Sequence, residues 1–273
     1  TPAGATVWSE ALGDMRTRRG WGEAVSPVLA GDKLIVMWDQ EDQSSIYALN
    51  QNDGSTAWEV KRDEPTTWAT PLIVKRKSTT QIVTAGTNHV RSYELESGKL
   101  LWESEPLTIN AIPSPVLDGG NVVLMSGYRG NVAISLALQP PTDTSSVVAP
   151  PKMNWKLNRD TPYVPSPVII DGRLFFTKSN AALLSCIDVA TGKPIYGPTR
   201  IPGVKAFYAS PVATDKAIYF ASREGKTVVL KNSGQFEVIA TNELDGDIDA
   251  SPAIAGKQIF IRSKTHLYCI AEE

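Results

Sequence analysis

Few side chains in this chain have the type and spacing that chemistry requires. There are two histidines, His89 and His266, and two cysteines, Cys186 and Cys269, each far from the others in sequence. Both histidines fall just before an expected strand of different segments, so a shared metal or a hydrolytic triad is not expected. The densest acidic cluster is Asp245-Gly246-Asp247-Ile248-Asp249. Calcium takes roughly six to eight oxygens, and this run lacks the Gly and Glu spacing of a helix-loop-helix calcium loop, so it reads as a solvated acidic turn, with an ion site as the alternative. No Gly-x-Ser-x-Gly, phosphate loop or Gly-x-Gly-x-x-Gly stands in the sequence, which removes the usual markers of acyl transfer and nucleotide chemistry. No catalytic residue and no metal ligand is assigned.

A second set of residues has the composition of a binding rim. Arg16, Arg18, Arg19, Trp21 and Glu23, then Trp68, Asn110, Tyr163, Phe207 and Tyr208, and finally Asp247 and Asp249 all lie just ahead of one recurring dipeptide. Aromatic rings give rigid contact area, carboxylates fix orientation, and arginines hold anions. Such a ring of residues would suit a protein partner or a small polar ligand, with plain loop packing as the competing reading.

The dipeptide is Ser-Pro. It occurs at Ser26-Pro27, as Thr70-Pro71, and again at Ser114-Pro115, Ser166-Pro167, Ser210-Pro211 and Ser251-Pro252, so the prolines are spaced by 44, 44, 52, 44 and 41 residues. A fixed period of this size marks a repeat architecture. Within one period, residues 25–60 divide into an apolar run, a turn at Gly31-Asp32, a β-rich run to Trp38, a polar loop, a third run at 46–49, a turn at 50–54 and a fourth run at 56–60. Four strands of about five residues fill the unit, and no 3.6-residue periodicity competes with them. Four antiparallel strands per unit is the arithmetic of a propeller blade. The expected fold is an all-β propeller in one domain over residues 1–273, with repeats near 25–60, 69–104, 113–157, 165–198, 209–241 and 250–271. The sixth repeat has no fourth strand, and residues 5–10 are expected to supply one and close the ring. The third unit is longer because Leu138–Pro151 is an inserted loop.

Most units end on an aromatic after a Gly-containing turn: Trp58, Trp102, Trp155 and Tyr196, with Trp8 at the start of the chain; the fifth unit is degenerate, offering Phe236 and Ile239. Cys186 and Cys269 take equivalent places in the fourth and sixth units and are expected to be small buried fillers, too far apart for a disulfide.

The combination of Ser-Pro-Val, Tyr-Ala-Leu and Thr-Gly-Lys-x-x-aromatic resembles the PQQ-like repeat of quinoprotein dehydrogenase-type β-propellers, a group that includes bacterial PQQ-binding-like repeat proteins and BamB-like outer-membrane assembly lipoproteins. The resemblance covers essentially the whole chain. It implies that Trp8, Trp58, Trp102, Trp155 and Tyr196 dock between neighbouring blades, and it implies a periplasmic or cell-envelope location. Family members usually have seven or eight blades, so six copies, starting within a unit at Thr1-Pro2, point to a longer parent or to a six-bladed ring. A quinoprotein dehydrogenase would add a vicinal cysteine pair, a catalytic Asp and calcium ligands; adjacent cysteines and a Cys-x-x-Cys-His haem motif are both missing. No cofactor is therefore expected, PQQ with calcium being the alternative.

Bulk properties agree with a binding module. Lys plus Arg number 27 and Asp plus Glu 29, a net charge of −2 that offers nucleic acid no broad basic surface. No uninterrupted apolar run is long enough to span a bilayer. The expectation is a monomeric, non-catalytic binding or scaffold propeller; a quinone- or sugar-dependent oxidoreductase and a sensor or carbohydrate-binding domain are the alternatives.

Overall fold

The computed structural model describes all residues except 2, 77–78, 139–148 and 272–273. Most of the expected insertion at 138–151 thus lies outside the described residues. The described residues form 23 strands and one short 3-10 turn, Arg18–Gly20.

The first sheet is Val28–Ala30, Lys33–Trp38, Ser44–Asn50 and Thr56–Arg62 (β1–β4), and the second is Leu72–Lys75, Thr80–Thr84, Val90–Glu94 and Leu100–Ser104 (β5–β8). The third is Val116–Asp118, Asn121–Ser126, Val132–Ala137 and Lys152–Leu157 (β9–β12). The fourth is Val168–Ile170, Arg173–Thr177, Leu183–Asp188 and Pro194–Arg200 (β13–β16). The fifth is Val212–Ala213, Ala217–Ala221, Lys226–Lys231 and Val238–Glu243 (β17–β20), and the sixth is Ala253–Ala255, Gln258–Arg262 and Leu267–Ala271 (β21–β23). In every sheet neighbours in sequence are neighbours in space, which is why each sheet needs only short turns.

The sixth sheet has three strands, and residues 5–10 form no strand. The expected fourth strand at 5–10 is therefore not observed. The chain there is anchored by one side chain instead: the indole N–H of Trp8 donates to the carbonyl of Gln51 at 2.8 Å.

Chain contacts divide the molecule into two compact units, Thr1–Pro115 with Leu138–Lys152, and Val116–Ala137 with Met153–Glu273. The first holds sheets one and two. Alternate residues of β2 are buried, as the period-2 geometry of a strand requires. Ile35, Met37, Ile46 and Ala48 of the first sheet pack there on Ile82 and Tyr93 of the second. The second unit is built the same way between successive sheets. Val123, Met125 and Trp155 pack with Leu174, Phe176 and Ile187; Phe175, Leu184 and Cys186 pack with Ile218, Phe220 and Val228; and Ala221 packs with Ile248 and Ile261. Each such aliphatic or aromatic side chain contributes roughly 1.5–3 kcal/mol by leaving water.

Cys186 is a buried filler as expected, and burial pushes its thiol up to about 12. Cys269 is exposed, contrary to expectation, because it sits on the unpaired edge strand β23. Both thiols are free.

The Ser-Pro period has a structural cause. The N–H of Ser26 donates to the hydroxyl of Thr70 at 3.2 Å, and the N–H of Thr70 to the hydroxyl of Ser114 at 3.1 Å. In the second unit the N–H of Ser166 donates to Ser210 Oγ, and that of Ser210 to Ser251 Oγ, both at 2.9 Å. Each hydroxyl satisfies an amide of the preceding repeat. The following proline has no N–H to satisfy and biases the serine toward extended backbone, which suits the start of a short edge strand.

Candidate functional site

In the first unit, two side chains from different repeats build an aromatic patch. The 3-10 turn at Arg18–Gly20 is fastened by the N–H of Arg18 to the hydroxyl of Thr66 (2.9 Å) and by the N–H of Gly22 to that of Thr17 (3.0 Å). It delivers Trp21 beside Trp68, with ring centroids 5.9 Å apart and planes at 41°. Trp68 is fixed twice: its indole N–H donates to the carbonyl of Gly22 and its backbone N–H to that of Ala111, both at 2.9 Å. Trp68 is only 7% exposed, whereas Trp21 is 49% exposed. The Arg19 guanidinium lies 5.7 Å from the centroid of the Trp21 ring, within reach of a cation–π attraction. Arg16 pairs with Asp42 at 2.7 Å.

Beneath the patch is a cavity of about 230 Å³, walled by Glu23, Trp68, Thr66, Thr67, Asp39 and Trp38 among others. Asn110, read from the sequence as a rim residue, is instead buried at 1% exposure with φ at +59°; neither amide atom has a hydrogen-bond partner among the described residues. Asparagine tolerates this backbone region better than most residues.

In the second unit the rim residues occur in separate pairs. Tyr163 stacks on Tyr128, centroids 4.8 Å apart at 24°, with Arg129 5.5 Å from the Tyr128 ring. Tyr208 lies under Arg223, 4.0 Å from its ring centroid, and Arg223 grips Asp249 through two bonds of 2.7 and 3.3 Å. Asp247 pairs with Lys264 at 2.5 Å, and this ammonium holds its carboxyl below the usual carboxylate range. The two acids turn to different cations, and among the described residues no three His, Cys, Asp or Glu side chains converge as a metal site. Phe207 is no rim residue: it is buried against Phe220, centroids 5.7 Å apart, on a loop held by its backbone N–H donating to the Asn180 carbonyl at 2.8 Å.

The polar network that the sequence did not disclose lies in the first unit. Arg62 and Asp39 are both fully buried and joined by two bonds of 2.8 and 3.1 Å; Arg62 also donates to Tyr93 Oη at 2.7 Å, and Thr67 donates to Asp39 at 2.6 Å. Next to it, Arg91 binds Glu64 at 2.9 Å, Glu103 at 2.7 Å and Asp63. The buried Glu64 carboxylate also accepts the N–H groups of Asn88 and His89 (2.8 and 2.9 Å), yet burial still pushes its pKa up. His89 itself approaches Glu103 at 3.2 Å. Burial likewise raises Tyr93. Residues 12 to 31 apart in sequence make these contacts, so no local motif announces them.

The family is decided by sequence as well as shape. A family model described as outer membrane protein assembly factor BamB matches residues 1–235. The chain belongs to the BamB family. No curated protein matches it. Among solved structures it is similar to BamB from Moraxella catarrhalis, at 14% identity and a TM-score of 0.69, covering 97% of this chain and 75% of that one. It is also similar to the computationally designed Ika8 protein (10% identity, TM-score 0.63, 91% and 70% covered). A third likeness is to quinohemoprotein alcohol dehydrogenase from Comamonas testosteroni (11% identity, TM-score 0.55, 82% and 43% covered). These likenesses establish a β-propeller fold.

Within this BamB-family chain, three indoles sit alike. Besides Trp8, Trp58 donates to the carbonyl of Leu95 at 2.9 Å and Trp155 to that of Val189 at 2.8 Å, each just past a strand of the next sheet. Each ring lies over a glycine with positive φ, Gly54, Gly98 or Gly192, where an added Cβ would come within 2.5–2.8 Å of the ring. Trp102 departs from this pattern, its N–H pointing to Gln81 Oε1 of its own sheet at 3.4 Å. Tyr196 meets Phe236 of the following sheet edge-on at 6.0 Å.

The residues present do not fit a quinone cofactor with calcium. Four of the carboxylates described above are each engaged by a cation: Asp247 by Lys264, Asp249 by Arg223, Asp39 by Arg62 and Glu64 by Arg91. A calcium site needs several such oxygens turned to one point.

Proposed function

We propose that this BamB-family chain is a non-catalytic binding propeller of the cell envelope whose partner is a protein of outer-membrane protein assembly. The supporting observation is the half-exposed ring of Trp21, seated on the fixed Trp68 and flanked by Arg19. Tryptophan and arginine dominate binding energy at protein interfaces. A ring already held in place loses little entropy on binding. Asp247 and Asp249, already paired within the chain, present little free charge for a partner to desolvate. The tryptophans at 8, 58 and 155 take the structural part, docking one repeat on the next. We propose that the chain acts as a monomer.

The test is a photoreactive phenylalanine analogue placed at Trp21 and, as a control, at Glu237, in cells of the native host. A discrete adduct with an outer-membrane assembly component at Trp21 alone, weakened by Arg19→Ala, is the expected result. Equal adducts at both positions, or none at Trp21, would overturn the reading.

A further inference from the structure

The joint between the fifth and sixth sheets lacks the large aromatic that Trp58, Trp155 and Tyr196 supply in the joints after the first, third and fourth sheets. Strand register makes the comparison direct. Trp58 stands opposite Ala48 and Tyr196 opposite Cys186, next to a bulge in each case. The same position in the fifth sheet, opposite Val229 and beside the same bulge, is Ala240. Phe236, the aromatic nearest in sequence, lies ahead of β20 and faces Tyr196 instead.

A slot of about 560 Å³ occupies this joint, with Tyr219, Thr227 and Asn242 on one wall and Ile254, Ile259 and Ile270 on the other. By register these correspond to Ile35, Ile46 and Val60 facing Ile73, Ile82 and Tyr93, the residues packed with Trp58 in the first joint. The slot volume lies in the range of small-molecule sites, roughly 300–1,000 Å³. The isoleucine wall is unusually open for its type, with Ile254 37% and Ile270 45% exposed.

We propose that this slot binds a free planar fused-ring aromatic, of which indole is the simplest. The isoleucine wall takes the ring faces, as the first joint takes Trp58. The chain itself states the preference, because two of its joints, at Trp58 and Trp155, hold this ring system.

Thermal denaturation with increasing free indole tests it. For the native chain Tm should rise with the logarithm of indole concentration, as ligand linkage demands. Ala240→Trp should melt higher without ligand and no longer respond. Should Ala240→Trp fail to fold, transferred nuclear Overhauser contacts between indole protons and isoleucine methyls, lost on Ile259→Ala, provide the same decision. No Tm response in the native chain, an equal response in Ala240→Trp, or a response to a tryptophan-bearing strand peptide but not to indole would overturn the proposal.

Discussion

The backbone N–H of Ser166 donates to the hydroxyl of Ser210, 44 residues later and 2.9 Å away. That bond links one repeat to the next and gives the Ser-Pro period its physical basis. Replacing Ser210 by Ala removes an acceptor in a half-buried joint and should cost about 0.5–1.5 kcal/mol in urea denaturation. Ser210→Thr keeps the hydroxyl, as Thr70 does in its own repeat, and should recover most of the loss. Equal losses for both variants would deny the bond its role.

Gly98 places its backbone under the Trp58 ring at φ +71°, with room for no Cβ. Gly98→Ala combines left-handed backbone strain, about 1–3 kcal/mol, with displacement of the indole. Trp58→Phe keeps much of the ring but loses the bond to Leu95 and should cost about 1 kcal/mol from that bond, beyond lost area. Quenching and red shift of tryptophan emission in Gly98→Ala would report the displaced ring.

Asp39 and Arg62 form an ion pair sealed from water. Removing one partner leaves the other charged and buried, so Asp39→Ala should destabilise by about 3–5 kcal/mol. Replacing both by Leu and Met should cost less than either single change, which a double-mutant cycle measures.

The turn aspartates set the acid limb of stability. The Asp188 carboxylate accepts the hydroxyl and then the backbone N–H of Thr191, and Asp53 accepts the same pair from Ser55; both carboxyls are held below their ordinary 3.8. With the folded pKa below the unfolded one, the unfolded chain binds more protons on acidification. The contribution is complete above about pH 3.8 and disappears as pH falls toward the depressed values. Asp188→Asn should lower Tm modestly at neutral pH and flatten its fall in that window, so that the two chains converge at the acid end.

Trp21 and Trp68 touch, yet their substitutions should separate. Trp68→Ala opens a buried site and should cost about 3–5 kcal/mol. Trp21→Ala, on the exposed member, should leave Tm within a degree or two, since exposed substitutions change stability by only ~0.5 kcal/mol, while reducing partner affinity about tenfold or more. Parallel effects of the two changes on stability would place Trp21 in the core.

The repeat number, the four-strand units and the closing aromatics were legible because they depend on local rules: period-2 alternation, turn residues and proline's missing N–H act within a few residues. The same rules misjudged residues 5–10, where a strand-like run pairs with no strand among the described residues, and they left open the place of Phe236, which packs on Tyr196 ahead of β20. Rim residues were only partly legible. Trp21 and Trp68 meet as a patch, but Phe207 and Asn110 turn inward, and Asp247 and Asp249 are taken by Lys264 and Arg223.

The sequence by itself determined that this chain folds into repeated antiparallel sheets with an indole or a phenol ending most of them. Only the tertiary structure decided which charges are neutralised, which tryptophan of a pair faces water, and which joint stays open. The reason is that strand formation and its period are properties of neighbouring residues, whereas burial, ion pairing and cavity volume arise where residues tens of positions apart, such as Asp39 and Arg62 or Thr227 and Ile259, are brought face to face.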